Sequence, residues 1–376
     1  MEEAARERAE PLLPGLPDEI VVWEILVLLD PKSLLRCRAV GRAWRCAAST
    51  SRFLLAHHAR QPTLPLVYGF NIFGNGDKSL DIIAFDHRAA DQLQHVARLD
   101  PDHFSIEASC DGLLVLSVRM TNLAVCNPTT RQYAPLPMLH AFLILGMYPH
   151  SPTGEYRLLL YRTQGLRLET MVNDCQDDSY VFTLGSGQPP RLIGWPDVEQ
   201  LTCSLGSVLF RGNLHWHRMK HRESESNAII VFDTTAESFR QMRAPIILGG
   251  GNLFETDGML SILSLINADT VTAIDIWMIQ DYETEVWALK YRVLLRPPDN
   301  GFHNYWDAVA VPWDGDVFVL LKFDGQLLEV DIDGKVVANF IQGGLNPSPH
   351  RLKQTLVPHT FFPTLEGYAM NASPFI

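Results

Sequence analysis

Cysteine is sparse in this chain of 376 residues. The six cysteines are Cys37, Cys46, Cys110, Cys126, Cys175 and Cys203, and no two form a C-x-x-C pair. That excludes the usual zinc-ribbon and thioredoxin spacings. A chain this long needs no disulfide staples, so reduced thiols in an intracellular protein are the expectation. Long apolar runs are also missing. Ile20 to Leu29 is about half of the ~18–20 residues that span a bilayer, so no membrane contact is expected. The acidic start M-E-E-A-A-R-E-R-A-E lacks the apolar stretch of a secretory leader, and Asn371-Ala-Ser therefore carries little weight as a glycosylation sequon. No G-x-S-x-G, H-E-x-x-H or Walker sequence occurs.

Acidic residues are absent from residues 31–60, where Lys32, Arg36, Arg38, Arg42, Arg45, Arg52 and Arg60 give +7. The rest of the chain is acidic. Residues 1–30 carry −6 and residues 61–376 carry −13, within a formal total of −12. An acidic bulk repels phosphate backbones, which argues against nucleic acid as the main ligand. The length exceeds one comfortable core and predicts two domains of unequal size. The 47% hydrophobic content is that of a globular protein rather than a disordered one.

Residues 1–15 read as a solvated tail. Helical signals follow over 16–60. Pro17 suits a first helical turn, with Asp18 and Glu19 at the positive end of its dipole. Residues 20–29 read I-V-V-W-E-I-L-V-L-L, apolar nearly all round, and such a helix must be covered on most sides. Asp30 and Pro31 provide a cap and a first position for a second helix. Phe53, Leu54 and Leu55 suggest a last short helix before Gln61-Pro62.

The pattern then changes to short β runs between turn signals. Asp-Gly pairs start at Asp111, Asp257, Asp314, Asp324 and Asp333, and Arg211-Gly212-Asn213 fills the same role. Asp-Gly before alternating apolar residues predicts hairpins. Three units read as turn, apolar strand, second apolar strand and an Asx turn, the last at Asn127, Asp233 and Asp331. Gly112, Gly212, Gly258 and Gly315 lie 100, 46 and 57 residues apart. The first interval fits two units, and a period near 50 is that of kelch-like propeller blades. About six such units fit into residues 61–376, and ring closure would cover their apolar faces. A β-sandwich with similar hairpins is the alternative.

Leu16-Pro-Asp-Glu-Ile20, Glu24-Ile-Leu26, Leu29, Lys32-Ser-Leu-Leu-Arg-Cys-Arg38, Val40, Trp44 and Phe53 together resemble an F-box. The later part is similar to the kelch-related, F-box-associated β-propeller of large plant families. The resemblance implies an α+β multidomain chain with a helical F-box at 16–60 and an all-β, six-bladed propeller at 61–376. It also implies a role as substrate-recognition subunit of a cullin-based SCF ubiquitin ligase. Leu16, Pro17, Ile20, Ile25, Leu26, Leu29, Leu34, Val40 and Trp44 would then bind or support a Skp-type adaptor. The propeller would hold an unknown substrate protein, in cytoplasm or nucleus. The chain departs from the F-box pattern at Leu28, Asp30 and Gly41, and a glycine inside a helix costs roughly 1 kcal/mol. A helical cap packed on its own ring is the competing reading of the first segment.

No catalytic residue, cofactor or metal is expected. His215, His217 and His221 lack a fourth ligand. Gly74-Asn-Gly-Asp-Lys78-Ser79 has the wrong spacing for a phosphate loop, and Gly249-Gly-Gly251 reads as a connection. The carboxylates of Asp314, Asp316, Asp324, Asp331 and Asp333 sit beside glycines and suit turns. Tyr148, Trp195, Trp306 and Trp313 are candidate substrate anchors, with blade packing as the bland reading. The remaining functional alternatives are an adaptor-bound scaffold outside a ligase and a propeller enzyme with sites assembled from distant loops.

Overall fold

The computed structural model describes residues 12–72, 78–100, 104–118, 122–139, 142–162, 178–194, 206–217, 228–245, 251–267, 272–295, 307–313, 315–323, 325–341, 344–362 and 375–376. Helical structure occupies Asp18–Leu28, Pro31–Val40, Arg42–Ala47 and Ser51–Arg60. Strands begin at Thr63. From there the described residues form six four-stranded antiparallel sheets, the blades of a propeller.

Five blades are built from consecutive strands, the innermost named first. The second holds Phe104–Cys110, Leu113–Val118, Asn122–Asn127 and Gln132–Pro135. The third holds Leu143–His150, Glu155–Arg162, Asp178–Thr183 and Arg191–Leu192. The fourth holds Val208–Phe210, Asn213–His217, Ala228–Asp233 and Ser238–Arg243. The fifth holds Gly251–Thr256, Met259–Asn267, Thr272–Asp281 and Val286–Leu295. The sixth holds Asp307–Trp313, Asp316–Phe323, Gln326–Val330 and Val336–Phe340. The first blade is composite. Its innermost strand, Leu345–Lys353, comes from the far end of the chain and pairs antiparallel with Thr63–Ile72, before Lys78–Phe85 and Leu93–Leu99. That pairing closes the ring.

The turns between inner and second strands explain the spaced glycines. Asp111-Gly112, Arg211-Gly212 and Asp257-Gly258 have both residues at positive φ, between 48° and 88°, the two-residue hairpin conformation that matches strand twist. Between third and fourth strands Asn127, Asp233, Asp281 and Asp331 each accept hydrogen bonds from amides two to four residues on. In the fourth blade this turn also latches to the third: Glu237 accepts from Arg157 at 2.6 Å, from Arg191 and from the Tyr148 hydroxyl at 3.2 Å. In the fifth, Glu285 accepts from the Arg243 backbone amide at 2.9 Å and its Nε at 3.2 Å.

Each seam between blades is a separate apolar cluster. Leu66, Leu80 and Ile82 meet Leu114 and Leu116 between the first and second blades. Tyr148 and Leu159 meet Trp216 and Phe232 between the third and fourth. Val67, Ile83 and Phe85 meet Val311, Leu320 and Leu327 where the sixth blade reaches the first. The six outermost strands contain no Asp or Glu. Arg98 and Arg292 on those strands pair inward with buried Asp81 and Asp275 at 2.6 and 2.7 Å. Charged, inward-tied side chains blunt an exposed strand edge.

Candidate docking surface of the helical module

The helical module rests on the ring face that carries the inner hairpin turns, where His58 Nε2 lies 3.8 Å from the Asp111 carboxylate. Strand direction sends the connections between second and third strands to the opposite face.

The first helical segment is irregular in a way that sorts its apolar residues. After a short α turn, Val21–Ile25 forms a π turn and Leu26–Leu28 a 3-10 turn. A π turn places residues five apart on one face, where an α-helix would separate them. Val21 and Leu26 therefore both point inward, with Val27, and are 0–1% exposed. Ile20 and Ile25 both point outward, with Leu28. The segment is thus covered on one side only by its own domain.

The second helix is set by the expected cap: the Asp30 side chain accepts from the Ser33 amide at 2.9 Å, and Pro31 takes the first position. Gly41 lies at the break before Arg42–Ala47, with extended backbone, so the helix-interior cost does not apply. Thr50 caps the last helix by accepting from Phe53. His57 and Gln61 at its other end both bond the Leu29 carbonyl, at 2.9 and 3.1 Å. Burial depresses the basicity of His57, with the Leu29 carbonyl working the other way.

Of the nine residues expected to bind or support an adaptor, Leu16, Pro17, Ile20, Ile25 and Val40 are exposed. Leu29 and Trp44 are half-buried against the module core. Leu26 and Leu34 are 1% and 0% exposed and lie inside that core with Val21, Val27 and Phe53, beneath the exposed side chains rather than among them. Sequence reading missed Leu28 and Leu35 as part of the surface, although both are exposed large apolar residues. The signal for them was present, since Leu28 replaces a usually basic residue. With Leu55 on the last helix, seven large apolar side chains of this small module thus stand 39–75% exposed.

The seven basic residues of 31–60 form no ion pair with a carboxylate among the described residues. Arg45 Nε donates to the Arg38 carbonyl at 3.2 Å, and Arg60 donates to Ala56 at 3.0 Å. Arg52 stands 5.0 Å from the Trp23 ring centroid. The module presents apolar area beside uncompensated positive charge.

Among the described residues, the other aromatic and histidine side chains singled out in the sequence pack within or between blades. His215, Trp216 and His217 are buried on one strand; His215 Nε2 meets the Tyr282 hydroxyl at 2.8 Å and Trp216 donates to the Leu145 carbonyl at 2.6 Å. No group of three metal-ligating side chains occurs among the described residues. Tyr148 is fully buried and Trp313 packs against His87 and Arg88. His221, Trp195, Trp306, Asp314, Asp324, Cys175, Cys203, Asn371, the first eleven residues and most of both glycine-rich stretches lie outside the described residues. A cavity of about 210 Å³ between the second and third blades is lined by apolar residues, among them Val125, Ala134, Leu136, Phe182 and Phe361. No helix among the described residues is long and apolar enough to cross a membrane.

Comparison with known proteins matches both parts. An F-box-like domain profile covers residues 13–59, and the profile of the F-box associated beta propeller domain covers residues 82–322. Arabidopsis thaliana F-box protein At1g52495 is 25% identical over 77% of this chain and 71% of its own length. F-box protein At5g49610 of the same plant is 27% identical over 74% of this chain and 79% of its own. Protein SUPPRESSOR OF NIM1 1 of Arabidopsis thaliana is 26% identical, over 58% and 62%. With a capped helical module leading into six blades whose turns carry the spaced glycines, the chain belongs to the F-box proteins of plant type with an F-box-associated β-propeller.

Proposed function

We propose that this chain is the substrate-recognition subunit of an SCF-type ubiquitin ligase inside the cell, without catalytic residues of its own. The module docks a Skp-type adaptor, and through it a cullin; the ring holds a substrate protein. One observation carries the reading: Leu16, Ile20, Ile25, Leu28, Leu35 and Val40 are large, apolar and exposed on a module whose own core is already filled. Covering one such side chain contributes ~1.5–3 kcal/mol. The unpaired arginines beside them steer an acidic partner and act mainly on the association rate. Pro17, Leu29 and Trp44 flank the surface, with Leu26 and Leu34 beneath it. Ubiquitin transfer would belong to other subunits, and this chain would contribute proximity.

Capture of a recombinant Skp-type adaptor by the full chain tests the docking. Ile25→Asp would bury an unpaired charge at the interface, a loss of about 3 kcal/mol or more, equivalent to roughly 100-fold weaker binding. The ring should melt as before. Unchanged capture would remove the surface from the proposal. A scaffold outside a ligase is separated by the next step: the assembled complex should increase ubiquitination of a partner captured by residues 61–376.

A further inference from the structure

The chain does not stop at the strand that closes the ring. Residues 354–362 leave Lys353 on the face that carries the helical module. Thr355 is fully buried, and its carbonyl accepts from Asn127 Nδ2 at 3.1 Å. Leu356 is 5% exposed and belongs to the core of the helical module, with Val21, Leu26, Val27 and Phe53; Val357 packs beside it. Phe361 and Phe362 then enter the seam between the second and third blades. His359 links the two ends, stacked on Phe361 with centroids 5.1 Å apart and edge-on to Tyr156 at 5.3 Å. The Tyr156 hydroxyl donates to Asp111 Oδ2 at 3.1 Å, on the carboxylate that His58 approaches from the last helix.

Nine residues therefore touch the module core, the closing strand, the second blade and the third. Two domains joined only through Gln61-Pro62 would move relative to each other by default, because a small interface does not fix them. Here the segment supplies apolar contacts on both sides of the junction.

We propose that residues 354–362 are a brace that joins helical module and ring into one cooperative unit and sets the angle between them. The receptor reading above gives this brace its use, a fixed span from adaptor to substrate, but the brace itself stands on the contacts just described. Its test needs neither adaptor nor substrate, so its failure would leave the receptor reading intact.

The full chain is compared with Leu356→Ala and Phe361→Ala by calorimetry and amide hydrogen exchange. The wild type should melt in one transition. Leu356→Ala should speed exchange of amides in Val21–Ala56 at least tenfold and separate an early module transition, with ring amides changed less than twofold. Phe361→Ala keeps Leu356 in place yet should also loosen the module, which a purely local cavity at Leu356 would not cause. Independent wild-type transitions for module and ring would overturn the proposal. So would unchanged module exchange in Phe361→Ala, whatever Leu356→Ala shows.

Discussion

Acidification should act on the strand that closes the ring, and His350 allows the effect to be worked out. This histidine lies on Leu345–Lys353, is 7% exposed, and bonds through Nε2 to the Ile106 carbonyl of the second blade at 3.0 Å. The acceptor is a carbonyl, so the neutral ring carries its proton on Nε2. Burial lowers its pKa from the usual 6.5 of a histidine to about 4, with the Ile106 carbonyl opposing. The unfolded chain therefore binds a proton near pH 6.5 that the folded chain refuses until about pH 4. Stability is full above 6.5 and falls as pH drops toward 4. Integrated from pH 7.5 to 5, the loss from this one group is about 2 kcal/mol. His350→Gln retains an N–H donor and cannot titrate. Urea denaturation followed by tryptophan fluorescence should find wild type losing about 2 kcal/mol more than this variant over that pH range. Equal losses, within about 0.5 kcal/mol, would refute the reasoning.

Equivalent hairpin glycines should differ sharply under substitution. Gly112→Ala places a Cβ 2.1 Å from the Lys353 carbonyl oxygen at φ +88°, whereas Gly212→Ala at φ +72° meets nothing within 4 Å. Chemical denaturation should show a loss of roughly 1 kcal/mol at 212 from backbone strain alone, and at least ~3 kcal/mol at 112. Asp30→Ala removes the cap on the Ser33 amide and should cost the module ~1 kcal/mol, read as faster amide exchange in Pro31–Val40. Removing residues 345–376 takes away the inner strand of the first blade; the product should bind hydrophobic dye and lose its cooperative melt, and a sharp transition near the wild-type temperature would contradict ring closure by that strand.

How much of this could be read beforehand depended on range. The caps at Asp30 and Pro31, and the hairpins at Asp111, Arg211 and Asp257, are local chemistry that a few residues declare. The F-box spacing was equally legible because its apolar positions sit within some forty residues. The inward turn of Leu26 was not, because it follows from a π turn that an even 3.6-residue period does not anticipate. Nor was the composite first blade. Leu345–Lys353 reads L-N-P-S-P-H-R-L-K, with two prolines and no clean alternation, and its partner Thr63–Ile72 lies nearly the whole chain away. Its identity as a strand comes from an inner position reached only in the assembled ring. The module–ring contacts of Leu356 and Phe361 were hidden for the same reason.

The composite first blade also shapes how this protein is made. Thr63–Ile72 emerges from the ribosome long before Leu345, some 270 residues later. At roughly 5–20 residues per second, about 14–55 seconds pass with that strand lacking its inner neighbour. During that interval an apolar edge is open to any nascent chain nearby, so production in a heterologous host should depend on chaperone supply more than the stability of the finished ring would suggest.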